Sequence, residues 1–423
     1  MSVINIGLIG FGIVGTGVAK ILLEQAAQIE SRLGKKVVLK KIVDLDITHD
    51  RGIKLPAGIL STKADDIIND PEINIVIEVI GGVKPARDFI ISSLKNGKHV
   101  VTSNKEVIAK CGREIFKTAK ENGVNIFYEA AVGGGIPILR PLNKCLAANK
   151  IEEVCGIVNG TTNYILSKMT KEGRNFSDIL KEAQDAGFAE ADPTADVEGF
   201  DAMYKVKILT SLAYGVDIEL DDIYREGISK VSAVDIEYAK EFGYVIKLLA
   251  IAKDTENGLD VRVHPTMIPK DHALASVSGA FNAIFVHGNN VGETMFYGPG
   301  AGMLPTASAV VADMLDLAAD GSYRIRDIVK PDTKPVNISM IKSQYYLRLI
   351  VVDKPGVLGK ISTILGNNQV SILTVLQKEV KGALAELIII TDKVQEVQVQ
   401  SAIKEMTTLD VVHEVANLIR VGL

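Results

Sequence analysis

The stretch VINIGLIGFGIVG (residues 3–15) joins an apolar run to a glycine-rich turn of the form G-x-G-x-x-G, made of Gly10, Phe11, Gly12, Ile13, Val14 and Gly15. A helical pattern follows from Val14 to about Ser31. A strand that ends in this turn and opens a helix is the context in which the pattern indicates dinucleotide binding. Gly10 permits the turn, Gly12 lets backbone N–H groups approach a pyrophosphate, and Gly15 lets helix and strand pack closely. A purely structural turn is the alternative.

The sequence after this motif alternates apolar runs with helical patterns up to about residue 130. Alternation of strand and helix predicts a parallel, doubly wound sheet with helices on both faces. The further strands are predicted at Val37–Val43, Ile73–Val79, His99–Val101 and Val124–Phe127, and the helices at Pro85–Asn96 and Lys105–Asn122. We therefore predict a Rossmann-type dinucleotide-binding domain over residues 1–130.

The remaining chain divides into three parts. Residues 131–320 mix strand-like runs, such as Val261–Met267, with long helical stretches at Thr161–Glu172 and Ala195–Tyr214, which predicts a central α+β domain. Prolines and polar residues favour a linker over residues 321–344. Residues 345–423 show the order strand, helix, strand, strand, helix, strand, which is typical of a ferredoxin-like βαββαβ domain. The predicted fold class is thus α/β with a smaller α+β domain and a C-terminal βαββαβ domain.

Composition limits the class of protein. The chain has 423 residues, of which 47% are hydrophobic and 23% charged, the balance of an ordinary globular protein. The net charge of -5 is not concentrated in one block, so neither nucleic acid nor an anionic membrane is an expected partner. No basic N-terminal segment and no apolar run of roughly 18 residues is present, which favours the cytoplasm. Three cysteines and six histidines show no metal-ligand spacing, and we assign them no chemistry.

Asp44 ends the second predicted strand. A carboxylate there accepts hydrogen bonds from the adenosine ribose hydroxyls and repels a 2′-phosphate, so Asp44 favours NAD over NADP. The spacing from the glycines is longer than usual, which the long first helix explains. A solvated aspartate at a strand end is the alternative.

Two further segments carry candidate site residues. Lys105 follows a strand at the carboxyl edge of the predicted sheet, where it either binds a carboxylate, shuttles a proton or simply starts a helix in water. Three consecutive glycines in the segment 129–137 expose backbone carbonyls and amides, which suit either a hard cation or a hinge between domains. Both readings of this segment stay open.

Asp201 and Lys205 stand four residues apart on a predicted helix and therefore share one face. An exposed ion pair is the common explanation for such spacing. Glu190 lies just upstream in an acidic loop, and two carboxylates beside a lysine suit a substrate that carries an ammonium group and a reacting oxygen. We take these three residues as candidates for substrate binding and catalysis.

Five segments in order resemble homoserine dehydrogenase, and the likeness covers essentially the whole chain. They are TSNKEVIA, YEAAVGGGIPI, GIVNGTTNYIL, EAQDAGFAEADPTADVEGFDAMYKV and GETMFYGPGAGMLPTASAVVAD. The resemblance implies the interconversion of L-homoserine and L-aspartate 4-semialdehyde with NAD(P), a step in threonine, methionine and isoleucine biosynthesis. It also implies a homodimer or homotetramer.

The resemblance assigns roles residue by residue. It places Lys105 and Lys205 at the reacting oxygen, with Lys205 the proton donor, and it gives Glu190 and Asp201 the substrate amino group. Lys105 also belongs with the cofactor-binding residues. The remaining implied contacts are a monovalent-cation site, usually for sodium, at Glu129 and the carbonyls of Val132, Gly134 and Ile136, and a cofactor contact at Gly302. Asp44 departs from the family, because many relatives carry a basic residue near this position.

The segment DKPGVL (residues 353–358) within the C-terminal pattern resembles an ACT domain, which implies an amino-acid effector such as threonine. Because every residue assigned to chemistry precedes the linker, we expect residues 1 to about 330 to retain activity. Two alternatives stay open. Another Rossmann-type oxidoreductase of an amino-acid aldehyde or imine need not keep Glu190, Asp201 and Lys205 together, and a non-catalytic amino-acid sensor could lose Lys205.

Overall fold

The computed structural model describes residues 3–319, 332–379 and 382–422. They form two compact units. Within these ranges, the first comprises residues 3–154, 204–220, 281–319 and 332–333, and the second comprises residues 155–203, 221–280, 334–379 and 382–422.

The strands, labelled in chain order, are β1 Val3–Ile9, β2 Lys36–Val43, β3 Leu60–Ser61, β4 Ile75–Glu78, β5 His99–Thr102, β6 Ile126–Phe127, β7 Ile151–Ile157, β8 Tyr224–Arg225, β9 Tyr244–Thr255, β10 Gly258–Pro269, β11 Phe281–Gly288, β12 Gly292–Pro299, β13 Lys342–Val352, β14 Ile372–Glu379, β15 Leu384–Thr391, β16 Val394–Gln395 and β17 Val412–Val421. The α-helices are α1 Ile13–Glu24, α2 Ala26–Leu33, α3 Asp65–Ile68, α4 Ala86–Lys95, α5 Lys105–Glu121, α6 Gly160–Glu172, α7 Phe176–Asp185, α8 Thr194–Val197, α9 Phe200–Tyr214, α10 Ala233–Glu241, α11 Met303–Ala318, α12 Val357–Asn367 and α13 Glu396–Met406.

The first unit contains the predicted parallel sheet. Its strand order is β3-β2-β1-β4-β5-β6, with β1 at the point where the order reverses. Strand β1 supplies residues with no solvent exposure, such as Ile6 and Leu8, because a sheet covered by helices on both faces buries both sides of its strands. The carboxyl ends of β1, β2, β4 and β5 therefore lie along one edge of the sheet, where doubly wound folds bind their ligands.

Helices of the first unit differ in two respects from the periodicity. The single helix expected from Val14 to about Ser31 is two helices, α1 and α2, because Gln25 leaves the helical conformation with φ −109° and ψ 19°. Helix α11, nearly 300 residues further along the chain, packs against α1. A Cβ at Gly17 would lie 2.8 Å from the carbonyl oxygen of Met303, so the two helices approach as closely as a glycine allows.

The second unit contains a mixed sheet in the order β9-β10-β17-β13-β15-β14. The last four strands, with α12 and α13, have the predicted βαββαβ order, and that prediction is confirmed. Strand β9 was not predicted. The helix expected over Ala195–Tyr214 is broken into α8 and α9, because Gly199 has a φ of +79° between them. The predicted linker at 321–344 falls partly on residues 320–331, which lie outside the described residues.

A buried carboxylate holds the C-terminal strands against the central helix α10. Asp235 has no solvent exposure and closes the N-terminal cap of α10 with Ser232. Its Oδ1 accepts hydrogen bonds from Arg348 Nε at 2.7 Å and from the Tyr346 hydroxyl at 3.1 Å. Its Oδ2 accepts one from Asn417 Nδ2 at 2.8 Å. Three donors from β13 and β17 thus compensate the cost of burying this charge.

A second junction involves Arg420 of β17, whose side chain is 2% exposed. Its guanidinium donates two hydrogen bonds to Glu396, at 2.9 and 2.7 Å, and one to Glu226 at 3.0 Å. Strand β17 also pairs in parallel with β10, with Thr266 opposite Arg420. Backbone and side chains therefore both join the C-terminal domain to the central part of this unit. None of the helices described in the three ranges is long and apolar enough to cross a membrane.

Candidate active site and cofactor site

The glycine turn has the geometry that each glycine was predicted to need. Gly10 has a φ of +101°, and a Cβ there would lie 2.9 Å from the carbonyl carbon of Val79. A Cβ on Gly15 would lie 2.0 Å from the carbonyl oxygen of Gly10, so only glycine lets α1 start this close to β1. At Gly12 a Cβ would meet nothing within 4 Å, which leaves space for a ligand beside the N-terminus of α1. A dinucleotide pyrophosphate fits these observations.

Asp44 lies beside this turn at the end of β2. Its Oδ2 accepts a hydrogen bond from the Phe11 backbone N–H at 2.5 Å, and its Oδ1 accepts one from Asp46 N at 2.9 Å. The carboxylate is therefore part of the structure that holds the turn. Each oxygen keeps a second lone pair with which it can bind a ribose hydroxyl.

A buried chain of hydrogen bonds leads to Lys105. Glu78 ends β4 with no solvent exposure, and its Oε2 accepts a hydrogen bond from the Thr102 hydroxyl at 2.7 Å. Thr102 Oγ1 accepts the N–H of Asn104, whose side chain caps α5 and binds the Gly82 carbonyl at 2.6 Å. Burial raises the pKa of the Glu78 carboxyl. Lys105 is the first residue of α5, so this chain fixes where its backbone lies.

Glu78 was not recognised in the sequence. The only signal was one carboxylate at the end of the apolar run INIVIE (residues 73–78), in register with Thr102 on the neighbouring strand. From sequence alone, a carboxylate at a strand end is expected to be solvated, because the neighbouring strand and the loop that bury it are not known.

The carboxylate of Glu129 binds three backbone N–H groups. Its carboxylate accepts the backbone N–H groups of Ile138, Leu139 and Arg140 at 2.5, 2.8 and 2.8 Å. Its own N–H donates to Asp313 Oδ2 at 2.7 Å. The Glu129 carboxylate therefore holds the backbone at residues 138–140 in place.

The carbonyls of the glycine segment are suited to a cation. Within the ranges that the structure describes, the carbonyl oxygens of Val132, Gly134 and Ile136 accept no hydrogen bond. Gly134 has a φ of +55°, and a Cβ there would lie 2.4 Å from the carbonyl oxygen of Gly300. Hard cations prefer such oxygen ligands. In the same described ranges, no group of three or more His, Cys, Asp or Glu side chains could hold a metal.

Asp201 lies in the first turn of α9 and is 4% exposed. Its Oδ2 accepts a hydrogen bond from Asn159 Nδ2 at 2.9 Å, and the same amide donates to Asp196 Oδ1 at 2.6 Å. Asn159 also caps α6, since its Oδ1 accepts from Thr162 N at 2.9 Å. Glu190 lies exposed in the loop before α8, where Gln184 binds its carbonyl at 3.0 Å.

Lys205 lies one turn after Asp201 on α9 and is 7% exposed. Helices α5 and α9 contact each other, because the Lys110 ammonium lies 5.3 Å from the centroid of the Tyr204 ring. A cavity of about 220 Å³ between these helices is lined by residues that follow both lysines, among them Arg113 and Lys207. The lining includes neither Lys105 nor Lys205, so this cavity is separate from the predicted catalytic groups.

Two glycines of the predicted ligand-binding segments open helices. Gly302 has a φ of +122° and directly precedes α11. Gly356 has a φ of +91° and directly precedes α12 in the C-terminal domain. Both positions need glycine for the backbone conformation, and both leave helix N–H groups that can receive an anion.

Family models match three stretches of the chain. Residues 10–129 match "Homoserine dehydrogenase, NAD binding domain", residues 137–315 match "Homoserine dehydrogenase", and residues 345–410 match "ACT domain". The homoserine dehydrogenase of Bacillus subtilis strain 168 is 42% identical over 429 residues, covering 100% of this chain and 99% of the relative. That of Neisseria gonorrhoeae is 42% identical, covering 99% of both.

Solved structures agree. A homoserine dehydrogenase from Thiobacillus denitrificans superposes with a TM-score of 0.93 at 42% identity, covering 100% of this chain and 98% of that one. A hyperthermophilic archaeal homoserine dehydrogenase in complex with NADPH superposes with a TM-score of 0.64 at 28% identity, covering 77% of this chain and 99% of that one.

Proposed function

The chain belongs to the homoserine dehydrogenase family, and from that premise we propose how its residues carry out the reaction. The enzyme is an oxidoreductase that acts on a small-molecule substrate with a nicotinamide cofactor. We propose that it interconverts L-homoserine and L-aspartate 4-semialdehyde in threonine, methionine and isoleucine biosynthesis. The observation that carries the proposal is the match to homoserine dehydrogenases along the whole chain.

The cofactor site is proposed at the glycine turn, from Gly10 through Phe11, Gly12, Ile13 and Val14 to Gly15, with Asp44, Lys105 and Gly302 as further contacts. When bound, the nicotinamide supplies or accepts the hydride. The open space at Gly12 supports the pyrophosphate position. Asp44 supports use of NAD, because its carboxylate can accept ribose hydroxyls and repels a 2′-phosphate.

Lys205 is the proposed proton donor, with Lys105 as the second lysine at the reacting oxygen. A lysine ammonium stabilises an alkoxide as it forms and then gives it a proton, which is electrostatic and general acid catalysis. In the oxidative direction the lysine must first lose its proton, so alkaline pH favours oxidation of homoserine. The burial of Lys205 supports this role, because a proton donor is more effective where water is excluded.

Glu190 and Asp201 are the proposed partners of the substrate ammonium. Asp201 lies one helical turn from Lys205, and Asn159 holds its carboxylate in one orientation. A fixed carboxylate binds an ammonium without the entropy cost of ordering its own side chain. Glu190 is exposed and can approach a substrate from solvent.

The segment from Glu129 to Ile136 is the proposed site of a monovalent cation, with sodium as the candidate. Support comes from the carbonyls of Val132, Gly134 and Ile136, with the Glu129 carbonyl as a fourth oxygen. The Glu129 carboxylate contributes by holding the backbone at Ile138 rather than by binding the ion.

The ACT domain indicates binding of an amino acid, and threonine is the proposed effector. We further propose a homodimer or homotetramer in the cytoplasm. The functional division that we propose is a dinucleotide-binding domain over 1–130, a catalytic and oligomerisation domain over 131–320, a linker over 321–344 and a regulatory domain over 345–423.

A spectrophotometric assay tests the proposed function. Purified protein is mixed with L-homoserine and either NAD or NADP between pH 7 and 10, and reduced cofactor is followed by its absorbance. We expect turnover that increases towards alkaline pH and requires homoserine. No reduced cofactor with either dinucleotide over this range contradicts the proposal.

A further inference from the structure

The loop that carries Glu190 joins α7 to α8 and folds back onto the end of α7. Just after the helix ends, Gly187 has a φ of +76°, a conformation that favours glycine. The N–H groups of Phe188 and Ala189 both donate to the Ala183 carbonyl, at 2.8 and 3.1 Å. The chain is therefore held against the last turn of α7 before it reaches Glu190.

Gln184, near the end of α7, holds the next part of this loop. Its Nε2 donates hydrogen bonds to the carbonyl oxygens of Glu190 and Ala191, at 3.0 and 3.2 Å. The amide nitrogen of a glutamine carries two N–H donors, so these two bonds use the full donor capacity of the side chain. The peptide group directly after Glu190 is therefore fixed to α7.

A second set of contacts ties the same loop to α6. The Thr161 hydroxyl donates to the Phe188 carbonyl at 2.9 Å, and the Phe188 ring stacks on Tyr164 with the ring centroids 4.7 Å apart. Both α6 residues lie near the start of the helix, whose N-cap Asn159 also binds the Asp201 carboxylate. The beginning of α6 thus contacts both segments that carry the carboxylates proposed for the substrate ammonium.

The side chain of Glu190 is less constrained than its backbone. The residue is exposed, and within the ranges that the structure describes no group donates a hydrogen bond to its carboxylate. A carboxylate on a fixed backbone reaches only the positions that its own torsions allow, so fewer states are lost when it binds an ammonium group. Release of the backbone would let the same carboxylate sample more positions and would lower its affinity.

We infer that Gln184 is a positioning residue for the substrate: its two hydrogen bonds fix the backbone at Glu190 and so hold the carboxylate where it binds the substrate ammonium. Gln184 acts through Glu190 and does not touch the substrate itself. The inference rests on the proposed function, because it takes Glu190 as a partner of the ammonium group. Removal of the Gln184 amide should weaken binding of homoserine and leave the dinucleotide site at the glycine turn unaffected.

Binding without turnover measures this effect. NADH and L-homoserine are both in their reduced forms, so they form a ternary complex that cannot react, and calorimetric titration gives the dissociation constant of L-homoserine in it. Gln184→Met removes the two N–H donors and keeps a side chain of similar length. We expect it to weaken L-homoserine by roughly three- to tenfold and NADH by less than about twofold. In the homoserine assay, KM for L-homoserine should rise by the same factor while kcat changes by less than about twofold.

A double-mutant cycle separates positioning of Glu190 from a general effect on the fold. Glu190→Gln removes the charge that binds the ammonium, so in that background Gln184→Met should change the affinity for L-homoserine by less than about twofold. Lys181→Met is the matched control, because it places the same side chain at an exposed position three residues earlier on α7. It should leave the affinity unchanged.

Three results overturn the inference while leaving the proposed function intact. They are an unchanged affinity for L-homoserine in Gln184→Met, additive effects of Gln184→Met and Glu190→Gln, and an equal weakening of L-homoserine and NADH. Wild-type protein that neither binds L-homoserine beside NADH nor oxidises it with NAD or NADP contradicts the proposed function, and the inference fails with it.

Discussion

Two lysines of α9 occupy buried positions two residues apart, and only one is assigned to chemistry. Replacing Lys205 with Met removes an interaction made mainly in the transition state, so kcat should fall by about 100-fold or more. NADH affinity should stay within about threefold, because the proposed dinucleotide site is the glycine turn and not α9. Lys207 is 9% exposed and lies 3.5 Å from Asp217, so Lys207→Met is the matched control and should keep its kcat. Near-normal kcat in Lys205→Met leaves Lys105 as the proton donor.

Because of Lys247 in β9, we expect the free energy of unfolding to change with pH in the alkaline range. The residue is 3% exposed, and its ammonium donates to Asn163 Oδ1 at 3.0 Å and to the Val277 carbonyl. Burial lowers the pKa of Lys247 from 10.5 to about 8. Between these values the unfolded chain binds more protons than the folded one, so the free energy of unfolding should rise with pH, by at most roughly 3 kcal/mol over the window.

Urea unfolding at pH 7.5, 8.5 and 9.5 measures this effect. Lys247→Met cannot titrate, so the stability of wild type relative to this variant should increase from pH 7.5 to 9.5. Lys270→Met removes an exposed lysine and should show no such trend. Parallel pH profiles for wild type and Lys247→Met are the contrary result.

At the scale of residues, the sequence indicated which residues to consider but not which atoms their side chains contact. Asp44 was named from its position after a strand, whereas Glu78 was missed because a carboxylate at a strand end gives no sign of the neighbours that bury it. Glu129 was named for a cation site, and nothing in the sequence indicated that its carboxylate also binds backbone N–H groups some ten residues later. Such contacts depend on tertiary structure that no local pattern contains.

At the scale of elements, two glycine variants of the turn should affect different properties, one the stability of the fold and the other the affinity for NADH. Gly15→Ala forces a shift of backbone, because its methyl group would lie 2.0 Å from the Gly10 carbonyl oxygen, and it should lower Tm. Gly12→Ala meets no atom within 4 Å, so Tm should stay unchanged while NADH affinity falls. Thermal unfolding and fluorescence titration of both variants give the answer. Full NADH affinity in Gly12→Ala places the pyrophosphate elsewhere.

Periodicity predicted elements whose partners are close in sequence. The parallel sheet and the βαββαβ domain follow from strands and helices that alternate over short distances. The break at Gly199 was missed because apolar spacing continues from α8 into α9, and only the local φ interrupts the helix. The packing of α11 on α1 could not be predicted for another reason. A helical pattern shows which face of a helix is apolar but not which element covers that face.

For the whole molecule, the structure changes the expected effect of truncation. Removing residues from 334 onward takes away Arg348, Tyr346 and Asn417, which donate hydrogen bonds to Asp235 and lie against it. Strand β10 also loses its neighbour β17. We therefore expect residues 1–333 to aggregate or to unfold at much lower temperature, with loss of activity.

Circular dichroism and thermal unfolding of this fragment, with the full chain alongside, check the expectation. Lys360→Met in the full chain is the control, since that exposed lysine lies 3.7 Å from Asp410 within the C-terminal domain. A fragment with the Tm and kcat of the full chain would show that the C-terminal domain is dispensable.

The pairing of β17 with β10 has a consequence for the newborn chain on the ribosome. About 150 residues separate Thr266 from its partner Arg420, and translation at roughly 5–20 residues per second takes on the order of ten seconds or more to cover them. During that time the backbone groups at the edge of β10 and the carboxylate of Asp235 lack the hydrogen-bond partners that the later residues supply. Strand β17 therefore leaves the ribosome well after β10 and α10, and the incomplete chain must avoid aggregation until β17 can pair with β10.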